Sequence, residues 1–380
     1  MPATVAGKNN GMKRSIVLAI ALAVGCPPGA SAADRILTEA SDLGGYVLFV
    51  NSGAPGMVLA IVRDEQSVVV GYGETEKGNG HAPDGSSLVR LNSITKVFAT
   101  EVVASLVADG KLRLTDPLQR FAGDAKVPVS GPRPMTLLDL ATHSAGLPRE
   151  MGNPPPGTNP RAWPTRDERW AWLPDYRLAW APGTAAAYSN IGFDLLADAA
   201  ETAGGQPYPE LLRARVTAPL GMADTGFTPT AEQCARLMVG SGFGGPASCV
   251  DTHATDGSGG LYSTGKDMAV WLRHNIDDPD GTLALSHAVY RPRQSIPAAI
   301  GFDEAGPMAG LGLGWVSVAA AGIHPALIAK SGAGLGFMSY VVFAPGRHVG
   351  VFIVVNRVDF GTFAGLTEGA NGLVASLATR

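Results

Sequence analysis

Strand-like and helical patterning occupy different parts of this chain, and their placement restricts the fold more than any other feature. Near the start, Tyr46-Val-Leu-Phe-Val50, Met57-Val-Leu-Ala-Ile-Val-Arg63 and Ser67-Val-Val-Val-Gly-Tyr72 are short runs rich in β-branched and aromatic residues. They read as strands. Asp64-Glu65-Gln66 is a connection of hairpin size, which predicts an antiparallel start rather than a βαβ start. Near the end, Trp315-Val-Ser-Val318 is a short strand. Phe337-Met-Ser-Tyr-Val-Val-Phe343 and Val349-Gly-Val-Phe-Ile-Val-Val355 form a hairpin around Ala344-Pro-Gly-Arg-His348. Between these ends the spacing is helical, over Val97–Val107 (stopped by Asp109-Gly110), Leu137–Ala141, Glu168–Trp172, Phe193–Ala203 and Tyr208–Thr217. Short and long helices are also predicted at Ala33–Ala40 and Phe363–Leu377. The implied fold class is α/β (α+β). An antiparallel sheet flanked by helices is built from 33–125 and 256–380, and a mainly helical domain, 126–255, is inserted. No internal repeat is evident.

Composition sets limits on function. Of 380 residues, 46% are apolar and 16% charged, with a formal net charge of −4. There is ample material for a core, and no basic run of the kind a nucleic-acid binder displays. At the start, Lys13 and Arg14 precede an apolar run, Ile16 to Val24, and then Ala30-Ser31-Ala32. This is the pattern of a secretory signal peptide over 1–32, with Met1 and Met12 both open as the start. The apolar run is too short to remain as a membrane span, and the rest of the chain has none long enough, so the mature protein is expected without one. Removal of the signal leaves six lysines, and 26 basic against 33 acidic residues. Ala23-Val24-Gly25-Cys26 loosely resembles a lipoprotein box, but two prolines follow it and the Ala-Ser-Ala site lies downstream, so periplasmic export is the favoured reading. Cys234 and Cys249 remain. In an exported chain they are expected to form a disulfide, the alternative being two buried thiols.

The chemistry-bearing residues come next. There is no H-E-x-x-H, no Cys-His cluster, no Walker A sequence and no G-x-S-x-G elbow, so neither a metal nor an organic cofactor is implied. Seven histidines are scattered. What stands out is Leu91-Asn-Ser-Ile-Thr-Lys-Val97, which places Ser93 and Lys96 three residues apart at the entrance of a helix. They share a face, so the amine can serve as the base a serine nucleophile needs, provided burial or a neighbouring cation lowers its pKa. Backbone N–H groups at the helix start suit a developing oxyanion. Two further segments fit the same chemistry. Ala187-Tyr-Ser-Asn-Ile191 supplies Tyr188, a proton shuttle, and Asn190, which can hold both Lys96 and a substrate amide. Ala329-Lys-Ser-Gly-Ala333 supplies Lys330 for a carboxylate, Gly332 for close backbone approach and an Ala333 N–H. Each piece alone has a plain structural reading as a cap, a turn or a surface lysine. The three in this order are far more specific.

Together these segments resemble the serine β-lactamase and penicillin-binding-protein superfamily, whose S-x-x-K and K-T-G elements flank a middle motif. Tyr188-Ser189-Asn190 resembles the class C branch, and Lys330-Ser331-Gly332 its third box. The likeness extends over Asp109–Pro117, Leu137–Pro148 and Gly259–Met268, so it covers nearly the whole mature chain. Within the branch the chain is most similar to AmpH-type D-alanyl-D-alanine carboxypeptidase/endopeptidases. The resemblance implies a serine hydrolase that acts through an acyl-enzyme on D-alanyl peptides of peptidoglycan and binds penicillin. It implies Ser93, Lys96 and Tyr188 as catalytic, and Ser93 and Ala333 as the oxyanion hole. Asn190, Lys330, Ser331, Gly332 and Glu150 would contact substrate. Glu150 stands where class C β-lactamases usually carry a glutamine, which counts against a dedicated β-lactamase. Lys330, often missing from the esterase members, favours a substrate with a carboxylate. A β-lactamase, a carboxylesterase and a weakly catalytic penicillin-binding sensor remain as alternatives.

Overall fold

The computed structural model describes residues 32–152, 164–302 and 307–379. The leader, Cys26 and both candidate start residues lie outside the described residues. The centre is an eight-stranded, wholly antiparallel sheet: β1 (Gly56–Arg63), β2 (Gln66–Gly73), β3 (Arg291–Pro292), β4 (Met308–Leu311), β5 (Val316–Val318), β6 (Leu327–Gly334), β7 (Phe337–Ala344) and β8 (Val349–Val355), in the order β2-β1-β8-β7-β6-β5-β4-β3. The C-terminal hairpin sits inside the sheet, where β8 pairs with β1 from Met57↔Val355 to Arg63↔Val349. The two ends of the chain therefore close one sheet, as the placement of strand-like runs predicts.

Strands β1, β7 and β8 read as unbroken apolar runs because both sheet faces are covered. Val58, Ala60, Val62, Val341, Phe343, Phe352 and Val354 face a core shared with the inner helices. Met57, Leu59, Ile61, Tyr340, Val342, Val351 and Ile353 face the helices of the two termini, Ala32–Ser52 and Phe360–Ala378, through Leu37, Leu48, Phe363, Leu366 and Val374. Each such side chain, fully buried, contributes about 1.5–3 kcal/mol before the entropy of ordering it is counted. The helix α-I (Thr95–Ala108) is apolar almost all round, and residues Thr95 to Ala104 are buried. That is the signature of a helix inside a core rather than on its surface. Apolar residues of the central helices, among them Leu140, Phe193, Leu196 and Leu211, join the same core. Cys234 and Cys249 are disulfide-bonded, with Cα atoms 5.7 Å apart. Among the described residues, no helix is long and apolar enough to cross a membrane.

One local expectation needs correcting. Tyr46–Val50 is not a strand but lies in the helix Tyr46–Ser52, ended by Gly53 at φ 59°. Its buried residues, Leu48 and Ser52, fall four apart, and Leu43, Tyr46, Val47 and Val50 are exposed at helical spacing. Phe49 stacks on Tyr72 of the edge strand β2, ring centroids 6.0 Å apart, and Leu48 joins the terminal-helix core, so the segment lies over the sheet instead of extending it and packing outweighs its β-propensity. Lys330-Ser331-Gly332 lies in the middle of β6, whose residues 327–329 pair with β5 and whose residues 328–334 pair with β7.

Candidate active site

The segment carrying Ser93 is held by its neighbours on both sides. Asn92 adopts a left-handed conformation, φ 50°, which asparagine tolerates better than most residues. Its Nδ2 donates to the Gly334 and Phe337 carbonyls at 3.0 and 3.2 Å, which ties the turn to the β6–β7 hairpin. On the other side, Leu91 N–H donates to the Leu261 carbonyl and Leu261 N–H to Thr95 Oγ1. Ser93 thus lies in a short 3-10 turn, Asn92–Ile94, that runs directly into α-I. Gly332 faces this turn at close range. A Cβ there would collide with the Leu91 carbonyl oxygen and lie 3.1 Å from Ser93 N. The third motif needs a glycine because two backbones meet.

Lys96 is fully buried. Its Nζ donates to Asn190 Oδ1 at 2.5 Å and to the Ser258 carbonyl at 2.7 Å, and lies 3.4 Å from Ser93 Oγ. Burial, reinforced by Lys330, holds its pKa well below the usual lysine value, against the opposing pull of Asp194 and Glu150. This is the condition under which a lysine can accept a proton. Tyr188 is the hub of the cations. Lys96 Nζ lies 4.8 Å from its ring centroid, Lys330 Nζ 5.1 Å and the Arg149 guanidinium 4.7 Å. The Lys330 ammonium also donates to the Ser331 carbonyl at 2.7 Å. Lys330, Ser331 and Tyr188 line a small cavity with Phe302 and Trp315.

Asn190 opens a helix, α-II (Asn190–Gly204), whose cap explains the arrangement. Ser189 Oγ accepts from Gly192 N–H, a Ser N-cap, and donates to the Pro148 carbonyl. The Arg149 carbonyl accepts the N–H of Asn190 at 2.8 Å. These bonds dock residues 148–150 on the helix start, and Asn190 Nδ2 then donates to Glu150 Oε1. The structure therefore brings together Ser93, Lys96, Tyr188, Asn190, Glu150, Lys330, Ser331 and Gly332. Ala333 follows on β6, opposite Met338. Sequence reasoning missed Arg149, adjacent to a residue it had found, and the Ser258 carbonyl, for which no side-chain pattern exists.

Along α-II, Asn190, Asp194 and Asp198 recur every four residues and so share one face. Behind Lys96 this face meets Arg169, whose Nε and Nη2 each donate to Asp198 at 2.7 Å, and whose Nη1 donates to the Ala254 carbonyl. Asp194 and Asp256 are buried beside them. Burial pushes Asp194 up to about 6, and burial with Asp194 as neighbour pushes Asp256 up to about 8. A carboxyl raised in the folded state contributes stability at low pH that is lost as pH rises through the folded pKa. Asp256→Asn is therefore expected to match the wild type near pH 4 and to become the more stable protein by a few kcal/mol, roughly, by pH 8. Tm of both proteins across pH 4–9 checks this. An unchanged difference over that range would contradict it.

Comparison with known proteins fits the geometry. The sequence pattern of the family described as Beta-lactamase matches residues 33–375. The chain is 39% identical over 96% of its length to the Escherichia coli K12 protein named D-alanyl-D-alanine-carboxypeptidase/endopeptidase AmpH, of which 97% is covered. It is 24% identical over 80% of its length to an Escherichia coli K12 beta-lactamase, 84% of which is covered. A crystal structure of a Yersinia pestis beta-lactamase/D-alanine carboxypeptidase complexed with citrate superposes with a TM-score of 0.86 at 41% identity, covering 91% of this chain and 99% of that one. With a match over most of its length and a fold that brings the three motifs, from two helix entrances and one strand, to one place, this chain belongs to the beta-lactamase family and is a serine hydrolase.

Proposed function

We propose that the chain hydrolyses D-alanyl peptides of peptidoglycan stems, as a DD-carboxypeptidase/endopeptidase that is also acylated by penicillin. One observation carries this reading. Lys96 and Lys330 are both buried against the Tyr188 ring, with Ser93 Oγ 3.4 Å from Lys96 Nζ, so a nucleophile, a base and a carboxylate-binding cation converge. In the proposed reaction Ser93 Oγ attacks the D-Ala amide carbonyl and its proton passes to the Lys96–Tyr188 pair. The Ser93 and Ala333 N–H groups receive the oxyanion, at the start of α-I and on β6. Asn190 and Glu150 orient the substrate amide, while Lys330 and Ser331 take its carboxylate. The leaving amine takes the proton, and water cleaves the acyl-enzyme with the same groups acting again.

The reading includes export to the periplasm, with a leader cleaved near Ala32 and the disulfide formed in an oxidising compartment. It also includes the division into a discontinuous α/β domain, 33–125 and 256–380, and an inserted domain, 126–255. The test is a three-way assay of the purified protein for D-Ala release from a stem peptide, turnover of the chromogenic β-lactam nitrocefin and turnover of a short-chain ester. D-Ala release as the fastest of the three is the expected result. Turnover dominated by nitrocefin or ester, or penicillin adduct formation without peptide turnover, would contradict it.

A further inference from the structure

We infer that His143, a residue in none of the three motifs, is a positioning residue that fixes Tyr188 between Lys96 and Lys330. This rests on the proposed role of Tyr188 and deepens it. His143 sits just beyond the short helix Leu137–Ala141, is buried, and adopts a left-handed conformation at φ 55°. It holds the segment Ala187–Ser189 at three points. Its carbonyl accepts the Ala187 N–H at 2.9 Å, and its Nδ1 accepts the Ser189 N–H at 3.0 Å. Its ring stacks on the Tyr188 ring, with centroids 4.4 Å apart and planes 24° from parallel. The peptide N–H groups on both flanks of Tyr188 therefore end on one residue, and the aromatic ring lies against that residue's imidazole. Tyr188 N–H itself donates to the Ile300 carbonyl at 2.9 Å.

The imidazole is held in turn. Phe193 lies 4.7 Å and Phe302 5.3 Å from it, centroid to centroid. Because Nδ1 accepts, the ring proton is assigned to Nε2. The charged groups acting on His143 are all cations: Lys96 on α-I, Lys330 on β6 and Arg149 in the loop before Glu150. Burial above all, and then these three charges, hold its pKa well below the usual histidine value. A second proton would have to sit on Nδ1, against the Ser189 N–H, so protonation breaks the clip. A left-handed, fully enclosed histidine is a costly choice for packing alone. Here that conformation places the carbonyl on the Ala187 N–H, Nδ1 on the Ser189 N–H and the ring on Tyr188 between them.

The test compares the wild type with His143→Phe and His143→Asn. Phenylalanine keeps a ring on Tyr188 but gives Ser189 N–H no acceptor. Asparagine supplies an acceptor and accepts the left-handed backbone. Acylation by a fluorescent penicillin is followed across concentration and pH, with Tm recorded for each protein. The Phe variant is expected to lose roughly ten- to a hundredfold in maximal acylation rate, as for a misplaced catalytic group, with half-saturation changed by less than about threefold. Its pH–rate limbs are expected to move. The Asn variant is expected to recover part of the rate and the wild-type limbs. The inference is overturned if the folded Phe variant acylates at the wild-type rate. It is also overturned if both lose rate equally with an unmoved pH profile, the mark of a purely structural residue. A wild-type protein that is not acylated at all would overturn the assignment of the site itself, and this inference with it.

Discussion

Lys96→Met is expected to lower the rate of acylation by roughly a thousandfold, within the range that a positioned general base contributes. Methionine fills much the same volume, so the fold is expected to survive. What disappears is the amine that reaches Ser93 Oγ, Asn190 Oδ1 and the Ser258 carbonyl. In the proposed reaction its depressed basicity, caused by burial and the Lys330 charge, lets it take the Ser93 proton. Stopped-flow acylation with a chromogenic β-lactam checks the rate, and a Tm near that of the wild type shows that lost rate is not lost structure. A variant within tenfold of the wild type would place the proton transfer elsewhere, with Tyr188 as the remaining group.

The second large effect concerns stability. Arg169→Met is expected to cost about 3–5 kcal/mol, the usual penalty for breaking a buried pair by removing one partner. The pair is bidentate, both residues are buried, and Trp170 Nε1 donates to the same Asp198 carboxylate at 2.8 Å. Removing the guanidinium leaves the carboxylate with the Trp170 N–H and a looser ion pair to the partly exposed Arg166, Nε 3.9 Å away, close to the already crowded Asp194 and Asp256. Denaturant unfolding measures the loss. The double variant Arg169→Met/Asp198→Leu is expected to recover much of it, since an apolar pair leaves no charge stranded. A single variant within 1 kcal/mol of the wild type would contradict this picture.

Much of the site could be read from the sequence because its chemistry is local. The spacing of Ser93 and Lys96, and of Tyr188 and Asn190, puts each pair on one helix entrance without any knowledge of the fold. The strands β1, β7 and β8 were equally legible, since burial on both faces leaves an unbroken apolar run. Strand β6 was not. Ala329-Lys-Ser-Gly-Ala-Gly334 has few β-formers, and it is a strand because β5 and β7 flank it and Ser93 needs a backbone beside it. The helix Gly265–Asp277 also escaped notice, although Thr264 and Asp267 carry an N-terminal signal. The Thr264 hydroxyl accepts the Asp267 N–H, and Trp271 from this helix stacks on Phe98 and Trp315. Tyr46–Val50 was misread for the opposite reason. Its composition is that of a strand, but its burial pattern depends on a terminal helix more than three hundred residues away. The roles of His143, Arg149 and the Ser258 carbonyl depend on which segments meet, and no short-range pattern encodes that.

The central claim is that Ser93 is the nucleophile of an acyl-enzyme. Its most direct test is intact-protein mass spectrometry after incubation with penicillin, followed by peptide mapping, on the wild type and Ser93→Ala. The account predicts one penicilloyl adduct on the wild type, mapped to the peptide containing Ser93, and none on the variant. An adduct that persists in Ser93→Ala, or that maps to another residue, would contradict it.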